Sequence, residues 1–342
     1  MSASAEVRDQ SDSYALLELI QGAVITQAIS VAARLGIADV LADAPLSAED
    51  IALRVEADPR ATHRILRALS GHGVFAVRPD GRYENTALSG KLREDAQDSM
   101  RKFAQLMSHP LLHEEWGHLL TTVQTGEANL PKLRGMSTLD FFHANHAYAA
   151  AFFQAFGKVS ESETDPVLAA YDFSRFRTVV DVIGGRGYLL AGVLQQAPNA
   201  RGVLYDFEIA TVDSASLFEE AGVADRCTVE HGGYLGKLPK GGDAYLFKRI
   251  IHNFSEEDAL TALRNAREAI GPDGKLLCIE YLLPENNERH IGHTIDLWLM
   301  LMIGSQDRTL AQYTELFGRA GFKIARVIPT ASPISIIEAI PV

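Results

Sequence analysis

The chain has 342 residues, 47% apolar and 22% charged, with a formal net charge of −12. It is long enough for two domains and a sizeable core, and its composition excludes a disordered or low-complexity chain. The acidic balance argues against a polyanionic partner such as nucleic acid.

Residues 1 to about 12 are polar and expected to fray. They lack the basic-then-apolar pattern of a secretory signal. No later stretch reads as a membrane span without polar interruption, so the expected location is cytoplasmic, with no membrane partner. Cys227 and Cys278 lie in strand-like apolar runs and are expected to be buried, reduced thiols.

Tyr14 to Leu35 reads as one long amphipathic helix stopped by Gly36. Ser47 with Asp50 three residues on is a capping pattern for a short helix. Asp58-Pro59 opens another, with Asp58 as N-cap and Pro59 at the first helical position, and it ends at Gly71-His72-Gly73. Val74 to Val77 and Arg82 to Asn85 are short strands joined by an Arg-Pro-Asp-Gly turn. Helix, helix, hairpin is the outline of a winged helix, so DNA binding is an alternative to weigh. Arg60, Arg64 and Arg67 share one side of the second helix, as a solvated face also would. Through residue 100 there are 10 Lys and Arg against 15 Asp and Glu, a net of −5, and a DNA reader normally presents a basic face.

His109 to Gly157 is helical and aromatic. His109 and His113 stand at i, i+4, with His118, His143 and His146 nearby, but no carboxylate or cysteine completes a metal site, and no metal is expected. Of the aromatic side chains, Trp116, Phe153 and Phe156 are candidates to line a flat apolar pocket, as are Trp298 and Met302 further on. Core packing predicts the same residue types.

From Arg177 the pattern changes to alternating strand and helix. Strands are expected at 178–182, 201–206, 226–230, 243–248, 275–281, 322–328 and 334–340, the last two forming a terminal antiparallel hairpin. Thr178 to Val182 runs into a turn containing Gly184, Gly185 and Gly187, followed by a helix and a strand ending at Asp206. That is half of a doubly wound nucleotide fold. The glycines let a ligand approach the backbone, and Asp206 stands where it can accept hydrogen bonds from two ribose hydroxyls. His252 follows the strand ending at Lys248, on the carboxyl side of an open sheet, where a proton-transfer group is well placed.

The turn Asp181-Val182-Ile183-Gly184-Gly185-Arg186-Gly187, the block Tyr245 to Phe254 and the segment Gly304 to Thr309 resemble the class I S-adenosylmethionine-dependent small-molecule O-methyltransferases. That group contains plant phenolic and bacterial polyketide enzymes. Also similar are Glu115-Trp116-Gly117-x-Leu119 and Thr125-Gly126-Glu127. The resemblance covers the whole chain. It implies an α/β fold: a Rossmann-like seven-stranded methyltransferase domain (176–342), preceded by a winged-helix-like dimerisation domain (1–105) and a helical linker (106–175). It implies S-adenosylmethionine as cofactor, held by Asp181, Gly184, Gly185, Gly187, Asp206, Tyr234 and Lys248. It further implies an aromatic acceptor, a homodimer, His252 as general base, and Glu280 and Asp307 flanking the reacting oxygen, one of them hydrogen-bonded to His252.

Four positions depart from the family pattern. Ile183 stands for the first glycine of the turn and Tyr234 for an Asp facing the adenine. Asn253 stands for Asp after the base, and Asp307 for a Glu one methylene longer. Two enzyme readings therefore stay open at this level. One is an O-methyltransferase of natural-product metabolism with an adapted adenosine pocket. The other is a repurposed relative doing different acid–base chemistry, such as a cyclase, hydroxylase, decarboxylase or isomerase.

Overall fold

A computed structural model describes residues 12–342. The expected frayed terminus lies outside these residues, except that Asp12 already begins a helix. The chain forms two compact units. One runs to Glu114 and takes up Asn145–Val159; the other comprises Glu115–Ala144 and Ser160–Val342.

In the first unit the expected N-terminal helix is two helices, Asp12–Ile20 and Gly22–Leu35, broken at Gln21. Gly36 terminates the second in the left-handed region, φ 68°, where glycine carries no Cβ penalty. The stretch Asp12–Leu35 is, by length and composition, apolar enough to cross a membrane, with Glu18, Gln21 and Arg34 interrupting it. Only its C-terminal part is packed: Ser30, Ala32 and Ala33 are buried, against a core that includes Ile37, Ile51, Leu66, Phe75 and Tyr83. The helix Ala48–Arg54 starts where Ser47 Oγ accepts the Asp50 N–H, and Pro59–Gly71 where Asp58 accepts the Ala61 N–H. β1 (Phe75–Val77) and β2 (Tyr83–Asn85) pair antiparallel as a hairpin.

The second unit is built on one sheet. Its strands are β3 (Thr178–Val182), β4 (Arg201–Asp206), β5 (Cys227–His231), β6 (Ala244–Lys248), β7 (Lys275–Leu283), β9 (Phe322–Pro329) and β10 (Ile334–Pro341). A two-residue β8 (Arg308–Thr309) also pairs with β7. The order is β5-β4-β3-β6-β7-β10-β9, parallel except for β10, which is antiparallel to both neighbours. The chain reverses direction across the sheet between β3 and β6, which is where such folds open a crevice at their carboxyl edge.

Alternation along the strands separates two cores. Val180, Val182, Tyr245, Phe247 and Cys278 face the helices Glu256–Ala269 and Leu310–Arg319. Val179, Ala244, Leu246, Leu277 and Ile279 face the helix Tyr188–Gln196. Each fully buried aliphatic or aromatic side chain contributes roughly 1.5–3 kcal/mol of transfer free energy. Cys278 lies in the core, while Cys227, on edge strand β5, is only half-buried, because an edge strand lacks a covering neighbour on one side.

Candidate active site

The Gly-rich turn closes over the carboxyl end of β3. The backbone bends at Ile183, whose φ of 56° lies in the left-handed region, and again at Gly185 and Gly187. The Ile183 N–H donates to the Tyr205 carbonyl at 2.7 Å, and its side chain packs on the Val180–Phe247 core. A Cβ on Gly184 would lie 2.4 Å from Asp181 Oδ2, so only glycine lets the turn sit this close to β3. Asp181 is fully buried beneath it; burial pushes its carboxyl up to about 7. Among the described residues neither of its oxygens has a hydrogen-bond partner. Asp206 accepts the Gly185 N–H at 2.8 Å on one oxygen and the Phe207 N–H at 2.6 Å on the other. Each carboxylate oxygen has a second lone pair, so a diol can still be received there.

These features fit an adenosyl cofactor. The turn has no room for a side chain at Gly184, Asp206 is braced by backbone donors, and the Ile183 side chain is taken up by the apolar core. Tyr234 is half-buried and stacks on Phe254, with ring centres 4.0 Å apart and planes 23° from parallel. Lys248 is turned toward protein groups: its ammonium donates to the Ser160 carbonyl and, at 3.0 Å, to Ser160 Oγ, and lies 3.9 Å from Glu163. Burial lowers its pKa to about 8.

The proton-transfer end is assembled from three elements. His252 sits on a single 3₁₀ turn, Ile251–Asn253, directly after β6. Asn253 fixes this turn by donating its side-chain N–H to the Arg249 carbonyl at 2.8 Å, a bond that an aspartate there could not donate. Glu280 comes from β7, which runs two residues past the expected end at 281. One oxygen accepts the backbone N–H groups of Ile250 and Ile251, at 3.0 and 2.8 Å. The other lies 3.6 Å from His252 Nδ1. Asp307 is on the loop between Gly304 and β8, and its Oδ1 is 2.8 Å from the same ring nitrogen. A carboxylate is an acceptor, so Nδ1 carries the proton and Nε2 keeps its lone pair.

All three side chains are buried, and burial pushes the Glu280 carboxyl up to about 7. Their ligating atoms lie within 4.8 Å of one another, near enough for a shared cation. The 2.8 Å contact, however, is a hydrogen bond that already occupies Nδ1.

The candidate pocket aromatics divide between the units. Trp116, Trp298 and Met302 belong to the second; Trp116 and Trp298 meet edge-to-face, with centres 5.2 Å apart. Phe153 and Phe156 belong to the first. Phe156 packs with Phe103 and Phe152, while Phe153 is 60% exposed.

Sequence reasoning missed a buried ionic cluster behind Lys248. Glu163 accepts a hydrogen bond from Tyr281 at 2.8 Å and lies 3.7 Å from Arg249. Glu163 sits in a polar run, Ser160 to Asp165, that gives no sign of burial. It also missed Asp296, which accepts the Asp307 N–H at 2.8 Å. Here a signal existed: Asp296 is the one acid in the otherwise apolar run Ile295 to Ile303.

Comparison with known proteins adds the following. Residues 116–323 match the O-methyltransferase domain family, and residues 17–95 match the O-methyltransferase dimerisation domain. The chain is 37% identical to a phenazine O-methyltransferase of Lysobacter antibioticus, over 96% of both chains. It is 33% identical to the mitomycin biosynthesis 6-O-methyltransferase of Streptomyces lavendulae, over 94% of this chain and 92% of that one. Among solved structures, the S-adenosylhomocysteine-bound methyltransferase CalO1 of calicheamicin biosynthesis superposes with a TM-score of 0.90. It is 29% identical, with 98% of this chain and 100% of that chain covered.

Proposed function

The chain belongs to the O-methyltransferase family, and from that premise we propose that it methylates a hydroxyl of an aromatic small molecule in natural-product biosynthesis. The observation that carries the reading is the buried His252–Asp307 pair beside the nucleotide-type turn. S-adenosylmethionine, when bound, supplies the electrophilic methyl group. Gly184, Gly185 and Gly187 give it room against the backbone, Asp206 accepts from its ribose, and Asp181 offers an acceptor pair beneath the turn. Tyr234 replaces a hydrogen-bonding carboxylate with an aromatic face, and a remaining N–H of Lys248 is available to the same ligand.

His252 acts through Nε2. It takes the proton from the acceptor hydroxyl while Asp307 holds the Nδ1–H and stabilises the imidazolium that forms. A phenol, with a pKa near ~10, is scarcely ionised at neutral pH, so a positioned base contributes on the order of 10²–10⁴ in rate. Glu280 holds the 3₁₀ turn through its two backbone bonds and flanks the ring. Trp116, Trp298 and Met302 form an apolar wall for a flat acceptor and exclude water. The relatives named above are, by their names, a phenazine O-methyltransferase and an O-methyltransferase of mitomycin biosynthesis, which favours a fused aromatic acceptor.

The test is transfer of a labelled methyl group from S-adenosylmethionine to a panel of hydroxylated phenazines, naphthoates and hydroquinones. The wild-type chain is expected to methylate at least one, and His252→Ala to lose at least a hundredfold in kcat while remaining folded. Undiminished transfer by the Ala variant would remove His252 from the mechanism.

A further inference from the structure

We propose that Asp296 is a positioning residue for the His252–Asp307 pair: by binding the backbone N–H of Asp307, it sets the reach of that side chain to the imidazole. The kinetic part of this inference rests on the function proposed above; the structural part does not.

Asp307 has one methylene fewer than glutamate, yet its Oδ1 comes within 2.8 Å of His252 Nδ1. A shorter side chain closes that distance only if its backbone is held nearer to the ring. Three contacts hold it there. Arg308, 1% exposed, sends Nη1 to the Ile251 carbonyl, tying the loop to the turn that bears His252. β8 fixes Arg308 and Thr309 against Leu282 and Leu283 of β7. Between Gly304, which ends the helix Gly292–Ile303, and β8, the Asp307 N–H is anchored on Asp296 Oδ1 at 2.8 Å.

The first two contacts act after or beside Asp307; among the described residues, Asp296 is the one that binds the Asp307 backbone N–H. Its surroundings are otherwise unsuited to an acid. Ile295, Trp298, Leu299, Leu301 and Met302 of the same helix are buried and Asp296 is half-buried, so its carboxyl calls for a hydrogen-bond partner. The charged groups that act on Asp296 are Asp307, His293 and Arg308. Burial raises the pKa of Asp296, with the nearby Asp307 adding to this, and an oxygen of its carboxyl accepts the Asp307 N–H in either protonation state.

The experiment compares Asp296→Asn, Asp296→Ala and Asp296→Leu in the full chain. Asn keeps the acceptor oxygen. Ala removes it, and Leu removes it while suiting the apolar helix, so that one acceptor-free variant stays folded. The first readout is ¹⁵N NMR of histidine-labelled protein without cofactor, with His252 assigned by His252→Gln. Wild type and Asn are expected to show His252 protonated at Nδ1 with a strongly deshielded proton; in Ala and Leu that signature is lost. The second readout is kinetic. Ala and Leu are expected to lower kcat about 10–100-fold, the scale of a sub-ångström to 1 Å misplacement, with KM for S-adenosylmethionine unchanged and Asn within about threefold of wild type. An unchanged His252 signal in both Ala and Leu, or an Asn variant as impaired as Leu, overturns the proposal. If the wild-type chain transfers no methyl group, the NMR comparison still decides the positioning role separately from the function.

Discussion

At the scale of single residues, the site places two carboxylates within 3.6 Å of one imidazole nitrogen, all three side chains buried. Burial, with a second carboxyl group nearby, holds Glu280 near neutrality, at about 7. Its carboxyl is raised from an ordinary value of 4.5, so the folded chain keeps a proton that the unfolded chain releases. The stabilising contribution is therefore complete below 4.5 and is lost as pH rises through about 7. Glu280→Gln removes that dependence. Its melting temperature is expected to gain on the wild type's as pH is raised across this window, and a constant offset between the two melting curves would contradict the assignment. His252 and Asp307 were legible in the sequence because each stands in a motif, and Glu280 because it lies on a strand beside them in the resembled fold. That Asp307 is the hydrogen-bonded partner was not, because the choice depends on a 2.8 Å against a 3.6 Å approach set by elements far apart in the chain.

At the scale of elements, the central strands were readable to within a residue or two because parallel strands buried on both faces are continuous apolar runs. Thr178–Val182 and Arg201–Asp206 are such cases. What escaped was short or set by tertiary contact: the two-residue β8, the break at Gln21, and the two residues by which β7 continues past Tyr281. The Gly-rich turn shows how a local rule yields to packing. Ile183 adopts φ 56°, which costs a β-branched residue about 1–2 kcal/mol, and its burial against the neighbouring core offsets this. Ile183→Ala keeps the strain and loses the packing, whereas Ile183→Gly loses both. The Gly variant is thus expected to be more stable than the Ala variant by about 1 kcal/mol in urea unfolding, the reverse of their order in ordinary backbone. An Ala variant at least as stable would show that the turn does not hold a left-handed residue.

At the scale of the whole molecule, the N-terminal stretch leaves Leu19 79%, Ile20 65% and Val24 59% exposed. So much contiguous apolar surface marks an interaction face, and it overlaps the matched dimerisation domain from residue 17 onward. A second copy of the chain is its expected cover. Light scattering after size exclusion should give a dimer for the wild type and a monomer for Leu19→Glu with Ile20→Glu; a monomeric wild type would contradict this. The same surface explains why Asp12–Leu35 passes for a membrane span by composition while its far end packs into the core of the first unit. Despite Ile183 and Tyr234, the chain is expected to hold S-adenosylmethionine at the β3 turn. Calorimetric titration of S-adenosylmethionine and S-adenosylhomocysteine into the purified dimer tests it most directly. Micromolar binding, about −8 kcal/mol, is the predicted result; no heat of binding at millimolar ligand would contradict the account.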